Sequence, residues 1–186
     1  MNKRNSIRSI ALSAVIAAVY TALTMSLPML SYGPVQLRFS EALTVLPFFL
    51  PEAVPGLFLG CVIANLFSPF GIADVIFGSI ATLLAALWTS KLKNAWLAPL
   101  PPVISNAVII GAEIAWFETS FGPGFAASWA WNGFTVGIGE LGACYILGML
   151  LLYLLPKIPG IRQFLSEEQL SRFPGRRKKA DTEPAV

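Results

Sequence analysis

Residues 35–67 read VQLRFSEALTVLPFFLPEAVPGLFLGCVIANLF, and the division of this stretch decides the fold. It holds 33 residues, nearly all apolar, with prolines at 47, 51 and 55. A membrane-crossing helix needs about 20 apolar residues, each advancing about 1.5 Å. The stretch is therefore too long for one crossing and short for two. Proline is excluded from helix interiors, so the Pro51–Glu52 pair is the natural break. The split gives two short passes, about Ser40–Leu50 and Ala53–Phe67.

The rest of the chain follows the same logic outward. A first pass is expected over about Ile7–Leu30, where Pro28, Gly33 and Pro34 end it. A fourth runs from about Ile72 to Ser90 and stops at Lys91 and Lys93. A fifth covers about Ala95–Phe117 and a sixth about Ser128–Leu155. The composition requires this. Of 186 residues, 55% are apolar and 12% charged, and the mean hydropathy is +0.68. One core of this size cannot hide that much apolar surface from water. A soluble enzyme, a disordered chain and a nucleic-acid binder are excluded. The chain has no histidine, which removes histidine-ligated metals and Ser–His or Cys–His catalysis. Cys61 and Cys144 lie in apolar runs and read as small packing residues. After Pro156 the chain turns polar and basic. Residues 157–186 are expected to be a mostly disordered tail, with a short helix near Ser166–Arg172.

Charge then orients the passes. With six, the N-terminus, the 51–52 turn, Lys91, Lys93 and the tail share one side. That side collects 12 of the 13 Lys and Arg residues, leaving only Arg38 opposite. Five passes would divide the positive charge. The positive-inside rule therefore favours six crossings with both termini cytoplasmic. The sequence reading is an all-α, multi-pass membrane protein, with residues 1–156 as the membrane domain. Its first apolar stretch is too long for a cleavable signal peptide.

Small residues mark close helix contacts. In the first pass, Ala14, Ala18 and Ala22 recur every four residues and form a stripe almost without bulk. In lipid, helices attract largely through such surfaces. The stripe suits either internal packing or docking on a separate membrane protein. Gly56/Gly60 and Gly133/Gly137 share the spacing and read as internal contacts.

Ionisable groups at membrane depth cost about 2.5–3.5 kcal/mol each on insertion scales and so call for a purpose. Glu41, Asp74, Glu113, Glu118 and Glu140 all fall in the outer half or near the midplane. Glu113 lies about 7.5 Å inward of Glu118. Asn106 and Glu113 are seven apart and nearly eclipsed, and Trp116 follows Glu113 by three. Asn132 and Glu140 are eight apart, and Trp131 stands at the outer start of the sixth pass. Arg38, Glu41, Asp74, Asn106, Glu113, Trp116, Trp131, Asn132 and Glu140 are the candidate substrate-binding set. Carboxylates and amides would supply hydrogen bonds and tryptophans a stacking surface. Five acids against one arginine favour a ligand that is cationic or rich in donors. Plainer roles compete. Asp74 suits a cap of the fourth helix. Glu41 suits a cap of the second or a partner for Arg38. Glu118 suits a solvated interface, and the tryptophans an aromatic belt.

Three strings carry a family likeness: Val35–Pro47, Pro55-Gly-Leu-Phe-Leu-Gly-Cys-Val-Ile-Ala-Asn65 and Asp74-Val-Ile-Phe-Gly-Ser79. They resemble the QueT family, substrate-binding S-components of energy-coupling factor (ECF) transporters for queuosine precursors, over about Ile7–Leu155. The Ala14/Ala18/Ala22 stripe is similar to the Ala-x-x-x-Ala signature with which S-components dock on the shared transmembrane subunit. The resemblance implies six helices, with the second and third short, and a bacterial plasma-membrane location. It implies capture of a 7-deazaguanine queuosine precursor, a planar heterocycle, from outside. Partners would be a transmembrane coupling subunit and two ATPase subunits, in a lipid bilayer. It implies no cofactor, no metal, no catalytic residue and no nucleic acid. The chain has no G-x-x-x-x-G-K-[ST] loop. An S-component for another vitamin and a solitary proton-coupled carrier using Glu113 and Glu140 are the alternatives.

Overall fold

A computed structural model describes residues 3–31, 37–158 and Leu170. The expected tail helix near Ser166–Arg172 and the disorder expected of residues 159–186 lie outside these, Leu170 apart.

Among the described residues the chain is all helical. Helix α1 spans Lys3–Ser26, and a short turn of helix, α2, covers Pro28–Ser31. The second pass, Phe39–Phe48, is a 3₁₀ helix. Then come α3 (Ala53–Asn65), α4 (Ile72–Ser90) and α5 (Leu100–Thr119). The sixth pass opens as α6 (Phe125–Leu141), widens into a π-helical segment (Gly142–Gly148), and closes as α7 (Met149–Leu154). Four segments are long and apolar enough to cross a membrane: Ile7–Ser26, Ile72–Ser90, Ala95–Thr119 and Phe125–Lys157. Phe39–Phe48 and Ala53–Asn65 are shorter apolar helices. The six expected helices are present, the second and third short.

Local chemistry sets the boundaries. Glu52 and Pro51 form an exposed turn between the two short passes, as the proline argument required. Asn94 accepts a 3.1 Å bond from the Trp96 amide and starts the 3₁₀ turn Ala95–Leu97. The expected fifth helix thus begins as this turn, and its α-helix starts with prolines in the first turn, where no amide donor is needed. Ser120 and Phe121, both at positive φ, end α5.

Two surfaces of small residues bring helices close. A side-chain carbon on Gly56 would come within 2.5 Å of the Ser13 carbonyl of α1, and one on Gly60 within 2.8 Å of the Ala17 carbonyl. Thr21 Oγ1 donates to the Gly60 carbonyl across this seam at 3.1 Å. On α5 and α6, a carbon on Gly111 would meet Gly133 at 2.7 Å. Both glycine pairs read from spacing are internal contacts, and Gly111 is a third partner that spacing did not single out.

The interior is divided. An apolar cluster including Ile16, Val45, Phe48, Phe49, Leu57, Leu152 and Leu170 ties α1, the 3₁₀ helix, α3 and α7 together. A smaller one joins Ala81, Ile110 and Val136 of α4, α5 and α6. Between the helices lie buried polar residues, with Arg38, Glu41, Asp74, Asn106, Glu113 and Glu140 among them.

Candidate functional site: a buried polar cluster

The site starts at the entry to the 3₁₀ helix. Arg38 Nη2 lies 3.2 Å from Asp74 Oδ2 of α4, both side chains buried to within a few per cent. Arg38 Nε donates to the Ser31 carbonyl at 3.0 Å. Ser31 Oγ bonds the Thr24 carbonyl, and Thr24 Oγ1 bonds Ser40 Oγ. The segment before the second pass is thereby tied to α1. Burial works against the Arg38 charge, but Asp74 and the other anionic neighbours outweigh it and raise its pKa. Arg38 is a permanent cation. Asp74 is not the cap of α4: Gly71 holds that position without a side-chain bond. Glu41 does not take Arg38 as its ion-pair partner either.

Glu41 instead accepts a hydrogen bond at Oε1 from Tyr20 of α1. On α5, Asn106 Nδ2 donates to Glu140 Oε1 of α6 at 2.8 Å. Cys144 Sγ lies 3.5 Å from both Glu140 Oε2 and the Glu41 carbonyl. Glu41 and Glu140 are thus joined through one thiol, and each lies within electrostatic reach of Arg38. Glu113 shares the buried face of α5 with Asn106 and is 5% exposed. Among the described residues, neither of its carboxylate oxygens has a hydrogen-bond partner. Asp74 and Arg38 are the charged groups acting on it. Six of the nine candidate residues are therefore buried, Arg38 in contact with Asp74 and Asn106 with Glu140, with Glu41 and Glu113 within electrostatic reach of Arg38.

The other three stand apart. Trp131 is 65% exposed and packs beside Phe134. Nine residues separate it from Glu140, about two and a half helical turns, which places it on the opposite side of α6. This corrects its grouping with Glu140. Asn132 is buried but donates to Glu118 Oε2 at 3.0 Å and to Ser128 Oγ. It belongs to an outer seam between α5 and α6, where Ser128 also donates to Glu118. Glu118 is exposed as expected, yet it is partnered. Trp116 is 37% exposed and joins a run of rings from Phe70 through Phe117, Trp116, Phe121 and Phe125 to Trp129. It lines the rim of the molecule.

Tyr20 and Cys144 escaped the sequence reading as functional partners. Tyr20 was detectable: with Ser13, Ala17 and Thr24 it completes the polar-and-small face of α1. Cys144 sits one turn beyond Glu140, the usual reach of a helical neighbour. The alanine stripe lies elsewhere. Ala14, Ala18 and Ala22 are all exposed, and the seam with α3 is made by Ser13, Ala17 and Thr21. Beside the stripe runs an apolar groove of about 220 Å³ that includes Val15, Val19, Leu43 and Leu151.

The family model described as QueT transporter matches residues 10–157. This chain belongs to the QueT transporter family. It is 39% identical over 84 residues to a protein of Lactococcus lactis subsp. cremoris (strain MG1363) named queuosine precursor transporter QueT. That match covers 44% of this chain and 49% of the relative, so the chain spans about half the length of the curated relative it matches. No solved structure matches. The strings at 35–47, 55–65 and 74–79 that carry the resemblance hold Arg38, Glu41 and Asp74, so three members of the buried cluster lie in them.

Proposed function

We propose that this multi-pass membrane protein is the substrate-capture subunit of an ECF-type importer in the bacterial plasma membrane. It binds a 7-deazaguanine queuosine precursor at the buried cluster, approached from outside. Both termini are cytoplasmic. The 1–156 domain holds the ligand, and the basic tail stays with the cytosol. A transmembrane coupling subunit docks on the exposed Ala14/Ala18/Ala22 face, and two ATPase subunits supply the energy. The role is binding and delivery, with no catalytic residue and no cofactor.

One observation carries this reading: a QueT-family membrane chain buries Arg38, Glu41, Asp74, Asn106, Glu113 and Glu140 together, with the Glu113 carboxylate unpartnered. A buried unpaired polar group is costly, and a donor-bearing ligand would repay that cost. The exposure of all three stripe alanines leaves that face free for a partner helix.

The runner-up, a solitary proton-coupled carrier, draws on the buried carboxyl groups of Glu113 and Glu140. Vesicles separate the two. A capture subunit alone binds radiolabelled precursor and accumulates none; addition of the coupling and ATPase subunits with ATP starts uptake. Accumulation by this chain alone would overturn the capture role. Among the six cluster residues, Asn106 and Glu140 also serve as anchors for each other. The docking face has its own test: Ala18→Trp is expected to retain binding and lose uptake in the complete complex, and normal uptake would remove that face from the account.

A further inference from the structure

Five buried side-chain atoms among the described residues have no hydrogen-bond partner: Glu41 Oε2, Asn65 Oδ1, Ser79 Oγ, and Oε1 and Oε2 of Glu113. All are oxygens, and four of the five belong to a carboxylate or an amide and can only accept. The unmet demand of this interior is for donors. The acids differ in what they have left to offer. Asp74 Oδ2 is held by Arg38. Glu140 has Asn106 on one oxygen and Cys144 on the other. Glu118 is occupied by Ser128 and Asn132. Glu41 has one oxygen committed to Tyr20. Glu113 is 95% buried, given its 5% exposure, and both of its oxygens are unassigned.

A planar carboxylate with two open oxygens matches two parallel N–H donors on adjacent atoms, the arrangement that makes bidentate pairing selective. We propose that Glu113 is the specificity-determining residue of the site and reads the ring N–H and neighbouring exocyclic amine of a 2-amino-4-oxopyrimidine edge. This deepens the capture reading and rests on it. Glu41 and Glu140 act instead as a fixed wall, held by Tyr20, Asn106 and Cys144. A heterocycle without the exocyclic amine satisfies one Glu113 oxygen and strands the other, and buried groups built for a hydrogen bond reject ligands that lack it.

The test is a cycle between residue and ligand on the purified full chain. Affinities of 7-deazaguanine and 7-deazahypoxanthine, which differ only in the exocyclic amine, are measured by calorimetric titration on the wild type and Glu113→Gln. In the wild type the amine is expected to improve affinity roughly tenfold to a hundredfold, the range of a good bidentate pair. In Glu113→Gln that advantage falls to within about threefold, because the amide offers one acceptor in place of two. An amine advantage equal in both proteins overturns the assignment. So does a variant that keeps this advantage but loses the gain from a 7-aminomethyl group, since Glu113 would then read the side-chain amine. Glu113→Asp, with its shorter reach, gives the same readout if the glutamine variant does not fold. If neither probe nor 7-aminomethyl-7-deazaguanine binds the wild type, the capture reading itself fails and this assignment falls with it.

Discussion

Removing the Arg38 guanidinium would take from buried Asp74 its ion-pair partner among the described residues, held at 3.2 Å. Breaking a buried pair from one side costs about 3–5 kcal/mol, most of it from the stranded charge. Arg38→Ala is therefore expected to lower the thermal unfolding midpoint sharply in detergent. Arg38→Ala with Asp74→Ala should recover most of the loss, and a double variant as unstable as the single would mean the pair is not what holds the loop. Tyr20→Phe is the milder counterpart. It leaves Glu41 without the bond at Oε1, a cost of about 1–3 kcal/mol for an unsatisfied buried acceptor, readable in the same melt. At this scale the sequence showed which residues were expensive but not which of them met. Arg38 and Glu41 are three apart and looked like partners. The actual partner of Arg38 lies 36 positions on, and that choice depends on how α4 leans on the 3₁₀ helix, which spacing cannot report. Trp131 is the opposite case, because its nine-residue offset from Glu140 already put it on the far side of α6.

Helix α1 carries two small-residue surfaces with opposite fates. One meets α3 through Ser13, Ala17 and Gly60, so close that a carbon on Gly60 would lie 2.8 Å from the Ala17 carbonyl. The other, Ala14/Ala18/Ala22, is exposed. Gly60→Leu is expected to force α1 and α3 apart and destabilise by about 1–3 kcal/mol, the usual cost of overpacking. Ala18→Trp should move the midpoint by no more than about 0.5 kcal/mol equivalent, as for exposed substitutions generally. Reversed results in parallel melts would exchange the assignments of the two faces. Periodicity gave both stripes equal weight, because a one-turn repeat records smallness and not what lies opposite. The helices themselves were legible from apolar length and proline placement; α4 begins and ends where the sequence reading put it. The helix types were not. A run of nearly uniform apolar residues carries no phase, so it fits 3₁₀, α and π windings alike. At about 2.0 Å per residue, the 3₁₀ form of Phe39–Phe48 is longer than the same ten residues would be as an α-helix. The π segment begins two residues after Glu140 and carries Cys144, which touches both Glu140 and the Glu41 carbonyl.

For the whole molecule, helices, four of them long and apolar enough to cross a membrane, surround an interior that is apolar in one region and polar in another. The apolar clusters secure the helices, and the buried polar residues are held at some expense of stability. That division explains why composition fixed the class of protein early while the chemistry of the site waited for the structure. Glu113 is where burial is least compensated: among the described residues its carboxylate has no hydrogen-bond partner, so its burial costs stability. Its replacement by glutamine should leave the fold at least as stable and weaken the ligand. The deciding measurement is the affinity of 7-aminomethyl-7-deazaguanine for the purified chain alone, by equilibrium dialysis, in wild type and Glu113→Gln at matched thermal stability. Saturable binding at one site per chain, weakened roughly tenfold or more in the variant, is the expected result. Equal affinity in the two proteins would mean that the buried cluster is not the ligand site.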